Sequence, residues 1–241
     1  MSAVPQGPPL PGARAAVAVA FCPAPPLLHP AVEVRADPAT TALRAACAAA
    51  VTDLLAARPE VVVVVGAGAA PGQRFGAGDA GSLRGLGVPL EVSFAGRVRP
   101  GGRRVPLPHL LGAWLLDQAG HVGPRLGVGP DDFGTALSDL PGPVGVLAMG
   151  DGSARRSERA PGHLDPAAAP FDAAVSRALA TGDAGALAAL DPVEGTRLLA
   201  AGVPVWRAVG AALDGLDIDA ELLTDAAPFG VGYPVATWRT R

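Results

Sequence analysis

Val61-Val62-Val63-Val64-Val65-Gly66 is the stretch on which the fold turns. Five β-branched residues in a row, with no polar alternation, predict a strand buried on both faces. Such a strand needs helices above and below it. That is the setting of a mostly parallel α/β sheet. Upstream, residues 15–21 form a second apolar, β-rich run, which stops at Cys22-Pro23-Ala24-Pro25-Pro26. Between the two, Asp37 is placed as an N-cap and Pro38 suits a first helical turn. Leu43, Cys47, Val51 and Leu54 then recur at helical spacing. Strand, helix, buried strand in that order predicts a parallel βαβ unit.

Downstream, residues 144–149 read as a third buried strand, ending in Gly150-Asp151-Gly152-Ser153. Residues 90–94, 220–224 and 231–238 are further strand candidates. Helices are expected over 106–119, 167–180, 183–190, 192–201 and 204–213. Residues 66–87 read as one long Gly-rich connection. The predicted architecture is a single α/β domain over residues 14–241, a central sheet flanked by helices, after a Pro/Gly-rich tail over 1–13.

Composition sets limits on function. All 19 basic residues among 241 are Arg, so no Schiff-base Lys or P-loop Lys exists. Two Cys cannot build a disulfide framework or a four-thiolate zinc site. A net charge of −3 gives no bulk reason to bind nucleic acid. The apolar run before Cys22 is short, lacks a preceding positive cluster and has Phe21 where a cleavage site needs a small residue. A strand is expected there, not an export signal. No run approaches the ~20 apolar residues of a membrane helix. The expectation is a cytoplasmic protein, with no membrane partner, whose cysteines stay reduced.

Open α/β sheets bind ligands beyond the C-terminal ends of their strands. Three segments are placed there: 22–29, 66–78 and 150–163. The first two supply Cys22, His29, Gly66 and Gly68. The third is the most polar, with Asp151, Ser153, Arg155, Arg156, Glu158 and His163. Its guanidiniums suit an anionic small molecule, and Asp151, Ser153 and His163 are its candidate catalytic groups. Gly66 and Gly68 do not continue into a dinucleotide fingerprint, because Pro71 stands at the third glycine position. Ala154 stands where a nucleophile elbow needs its last glycine. Cys22 and Cys47 read as core residues, and His109 and His121 as surface or helix-end residues.

Phe21-Cys22-Pro23-Ala24-Pro25-Pro26-Leu27-Leu28 resembles the Cys-Pro-His-Pro-Pro-Leu-Leu opening of the class III extradiol ring-cleavage dioxygenase family. That superfamily includes the catalytic chain of protocatechuate 4,5-dioxygenase and the Memo-like proteins. Met149-Gly150-Asp151-Gly152-Ser153-Ala154 resembles the family's Gly-Asp-Leu-Ser-His segment. Residues 161–171 resemble the stretch after that segment, and residues 227–233 are similar to the C-terminal end of a small actinobacterial-type branch. The resemblance implies a three-layer sandwich and an Fe(II) held by two His and a carboxylate, with a further His as acid/base. Ala24 and Ala154 occupy two of the implied His positions. Another implied ligand belongs after the 61–65 strand, where no His occurs between His29 and His109. Glu221 or Asp225 could match the carboxylate. The resemblance therefore implies a degenerate iron site with no cofactor, binding a small molecule in the inherited cleft. Two alternatives are an active Fe(II) dioxygenase with ligands relocated to His29, His163 and a carboxylate, and a non-catalytic interaction protein or homo-oligomer component.

Overall fold

A computed structural model describes residues 16–241; the tail over 1–13 and the start of the first predicted strand lie outside the described residues. The chain runs β1 (Val17–Cys22), α1 (Pro38–Ala56), β2 (Val61–Gly66), β3 (Arg74–Phe75), β4 (Ala80–Ser82), β5 (Glu91–Ser93), α2 (Leu107–Gln118), β6 (Arg125–Val128), α3 (Pro130–Ser138), β7 (Val144–Met149), α4 (Ala168–Thr181), α5 (Ala184–Ala188), α6 (Pro192–Arg197), α7 (Val203–Leu213), β8 (Ile218–Ala226) and β9 (Tyr233–Thr240). Seven strands form one sheet in the order β3-β6-β2-β7-β1-β9-β8. The inner four, β6, β2, β7 and β1, are mutually parallel. β9 closes antiparallel against β1, and β8 against β9.

The valine run shows why three layers form. Side chains alternate across a strand. Val62 and Val64 enter one apolar core with Ala20, Cys22, Leu147 and Met149; Val63 and Val65 enter the other with Val19, Phe21, Val146 and Ala148. α1 and α2 cover the first face, and α3, α4, α5 and α7 the second. The predicted α1 stripe of Leu43, Cys47, Val51 and Leu54 is buried throughout. Asp37 caps the helix by accepting from the Ala39 N–H (2.8 Å) and the Thr40 N–H (3.4 Å). α1 has the length and mean hydropathy (1.2) of a membrane span, but here it is a layer of the domain packed on β1 and β9.

Three sequence expectations change. Residues 66–87 are not a bare connection: they contain β3 and β4, anchored by buried Phe75 and Leu83. The expected 90–94 strand is β5, which pairs with β4 outside the main sheet. β6 and α3 add two elements to the expected set. β6 is Arg125-Leu126-Gly127-Val128, and its Arg breaks the apolar signal. That Arg is buried because its guanidinium donates to Phe94 O (3.2 Å), Ala113 O (3.2 Å) and His121 O (2.6 Å) and pairs with Asp117 (2.8 Å). Four acceptors offset its desolvation.

Candidate functional site

The C-terminal ends of β1, β2 and β7 lie side by side, since Met149 is in register with both Cys22 and Gly66. The first loop leaves β1 through Pro23 and Ala24. Arg44 of α1 clamps it, donating to Leu28 O (2.9 Å) and Leu27 O (2.7 Å) while pairing with Glu33 (2.7 Å). The last loop leaves β7 through Gly150. Its backbone runs so close to the start of α7 that a Cβ on Gly150 would lie 2.4 Å from the Gly202 Cα. The Gly202 N–H donates to Asp151 O (2.7 Å), which fixes the turn.

The first and last loops meet at Asp151. Its carboxylate accepts the Ala24 N–H at 2.6 Å. Burial pushes its pKa up to about 6, and that hydrogen bond only partly opposes the shift. Tyr233, at the start of β9, is buried next to it. Burial, and secondarily the Asp151 charge, hold the phenol protonated well above its ordinary range. The pair offers a carboxylate that can take a proton near neutral pH and a phenol that can give a hydrogen bond.

A second acid, Asp172 of α4, holds the loop. It accepts the Ser153 N–H (2.8 Å) and pairs with Arg156 (2.9 Å). Two glycines cradle it: a Cβ on Gly152 would be 3.0 Å from its Oδ1, and one on Gly232 would be 2.5 Å from its Oδ2. Burial raises its pKa in spite of these partners. Sequence reasoning passes over Asp172. The signal that could find it is an acid on the buried stripe of α4, among Ala168, Val175 and Leu179.

The other expected site residues fall into two groups. Cys22 and Ser153 are enclosed, which corrects their expected place on a ligand surface and, for Cys22, keeps its core reading. The free Cys22 thiol is buried in the core beside Cys47, and that neighbour together with burial pushes its pKa well up, so it is inert. The Ser153 hydroxyl donates to Leu198 O (3.0 Å) and accepts the Arg155 N–H (3.1 Å). Arg156 is engaged with Asp172, whereas the half-buried Arg155 leaves its Nε without a partner. Glu158 and His163 are exposed, as is Gly68, and His163 has φ 59°, in the left-handed region. His29 is buried against Trp114, with ring centroids 5.1 Å apart, and its Nδ1 accepts the Ala31 N–H (3.2 Å). Glu221 and Asp225 are exposed on the edge strand β8.

His109 overturns the surface expectation. It is 0% exposed, its Nε2 bonds Val128 O at 2.9 Å, and its Nδ1 has no partner. α2 brings it to the end of β2, where a Cβ on Gly66 would lie 3.4 Å from Nδ1. Desolvation lowers its pKa to about 4.

An Fe(II) centre does not fit the residues at these strand ends. The methyl side chains of Ala24 and Ala154 have no lone pair to give, and Asp151 is engaged with the Ala24 N–H. Among the described residues no three His, Cys, Asp or Glu side chains gather as a ligand set. Compared with known proteins, the chain matches no protein-family model and none of the curated sequences.

Proposed function

We propose that this chain is a metal-independent relative of the class III extradiol dioxygenases. In this reading it binds a small molecule at the C-terminal ends of β1 and β7 and the adjoining start of β9. Asp151 is the acid–base group and Tyr233 the hydrogen-bond donor. The reading is carried by one observation: a half-buried carboxylate, with a pKa of about 6, faces the backbone of Ala24. Ala24 is a position where the resemblance implies an imidazole. A carboxylate tuned to that range can exchange a proton with a ligand at physiological pH without a metal. Two free buried cysteines suit the cytoplasmic location that the sequence suggests.

Iron analysis of protein purified without oxygen tests the metal-free reading, together with a ring-fission assay on catechol with added Fe(II). The expected result is substoichiometric iron and no yellow product. One tightly held iron per chain, with ring cleavage that depends on it, overturns the proposal.

A further inference from the structure

The β4–β5 hairpin carries a feature that the strand-end site does not use. Residues 84–104 hold Arg84, Arg97, Arg99, Arg103 and Arg104 against a single acid, Glu91, in a chain whose net charge is −3. Four of these, Arg84, Arg99, Arg103 and Arg104, line one cavity of about 410 Å³. None of the four is in an ion pair; the pairs among the described residues engage seven other arginines. Arg103 donates to Arg74 O, and Glu91 is the one acid on the same wall; the four guanidiniums gathered there still repel each other, and an anion relieves that repulsion.

The framework beneath them is fixed. Asp79 accepts the Gly76 N–H (2.9 Å) and the Arg103 N–H (2.6 Å). The Arg99 N–H donates to Gly78 O (3.1 Å), and the Ala80 N–H to Arg103 O (3.1 Å). Gly102 lies against Gly78 so closely that a Cβ would come 2.1 Å from the Gly78 carbonyl oxygen. Gly78 itself has φ 97°, which a side chain would strain. The glycines form a thin floor that lets the two loop segments beneath the cavity approach. The arginines are thus set on a rigid base, which lowers the ordering cost of binding.

We propose that this cavity binds a small molecule carrying at least two anionic groups, of the diphosphate or polycarboxylate class. The guanidinium fork matches either oxyanion in a bidentate way. The cavity's volume falls in the range of small-ligand pockets. Its concave shape, and the acidic balance of the rest of the chain, favour a compact polyanion over an extended nucleic acid.

Titration calorimetry of the full chain against pyrophosphate and against citrate tests this. The expected result is one saturable site per chain for at least one of them. The tighter of the two identifies the source of the oxyanion. Affinity should fall about tenfold or more in the Arg99→Gln/Arg104→Gln double variant, and fall as salt rises. Arg241→Gln, an exposed arginine elsewhere, should leave it unchanged. Both guanidiniums of the double variant are exposed, so its urea midpoint without ligand should match the parent. Failure of both probes to saturate by about 10 mM, or equal binding by the double variant, overturns the proposal. So does tighter binding of a short oligothymidylate than of either probe. Iron content is untouched by any of these outcomes, so this site and the strand-end reading stand or fall separately.

Discussion

At the end of β2, His109 is fully buried with a pKa lowered to about 4; at the end of neighbouring β7, Asp151 is half-buried with a pKa raised to about 6. The same desolvation acts on both and drives each toward its neutral form. The consequences differ. His109 is neutral throughout the physiological range, and its bond to Val128 O fixes one tautomer. It behaves as a polar wedge between α2 and the sheet. Asp151 is mostly ionised at pH 7, in a place that resists the charge, with one backbone N–H for support. A charge kept against burial costs stability, and such a cost is typical of functional positions.

The strongest way to break the comparison is to remove the frame on the Asp151 side alone. Asp172→Ala leaves the Ser153 N–H and the Arg156 guanidinium without their acceptor. A loss of about 3 kcal/mol is expected from breaking a largely buried, hydrogen-bonded pair. Urea denaturation measures it, and a loss below about 1 kcal/mol would mean that Asp172 is only a surface partner.

Asp151→Asn sharpens the contrast. The folded pKa of about 6 lies above the ordinary 3.8, so the folded state binds more protons between these values. Stability from this group is therefore highest in acid and falls as pH rises from about 4 to about 6. Asn removes the charge yet still accepts from Ala24. The variant should be about 2 kcal/mol more stable than the parent at pH 7 and nearly equal to it at pH 4. A variant less stable than the parent at pH 7 would show that the ionised carboxylate is a structural support.

The contrast also marks what a sequence can and cannot tell. The valine run, the Asp37 cap and the α1 stripe are local patterns, and the structure keeps all of them. The loops that meet were legible as strand ends, because a parallel sheet puts all its C-termini on one edge. The partners within them were not. Asp172 is nineteen residues from the Ser153 N–H that it holds, on a different element. His109 reaches the end of β2 from a helix that periodicity alone could not orient. β6 hides behind a buried Arg whose partners come from three separate segments. Ser153, Arg156 and Cys22 are the right kinds of residue in the right loops, yet tertiary partners have already taken their functional atoms.

The smallest expected effect is the most discriminating. His109 titrates in the opposite sense to Asp151. Its folded pKa of about 4 lies below the ordinary 6.5, so the unfolded state binds more protons between them. Its contribution is fully present above about pH 6.5 and is lost as pH falls toward 4. Between pH 7 and pH 5 the two groups nearly cancel, so their joint contribution to the stability of the parent protein changes by under about 1 kcal/mol. His109→Gln removes one side of that balance. Whatever its absolute stability, the Asp151 contribution should then appear as a gain of about 1 kcal/mol on moving from pH 7 to pH 5, read against the His109→Gln/Asp151→Asn double variant, in which the other titrating groups cancel. Urea midpoints at the two pH values measure the slope. If the variant instead weakens in acid as much as Asp151→Asn does, the two strand ends are not opposed and the raised pKa of Asp151 is wrong.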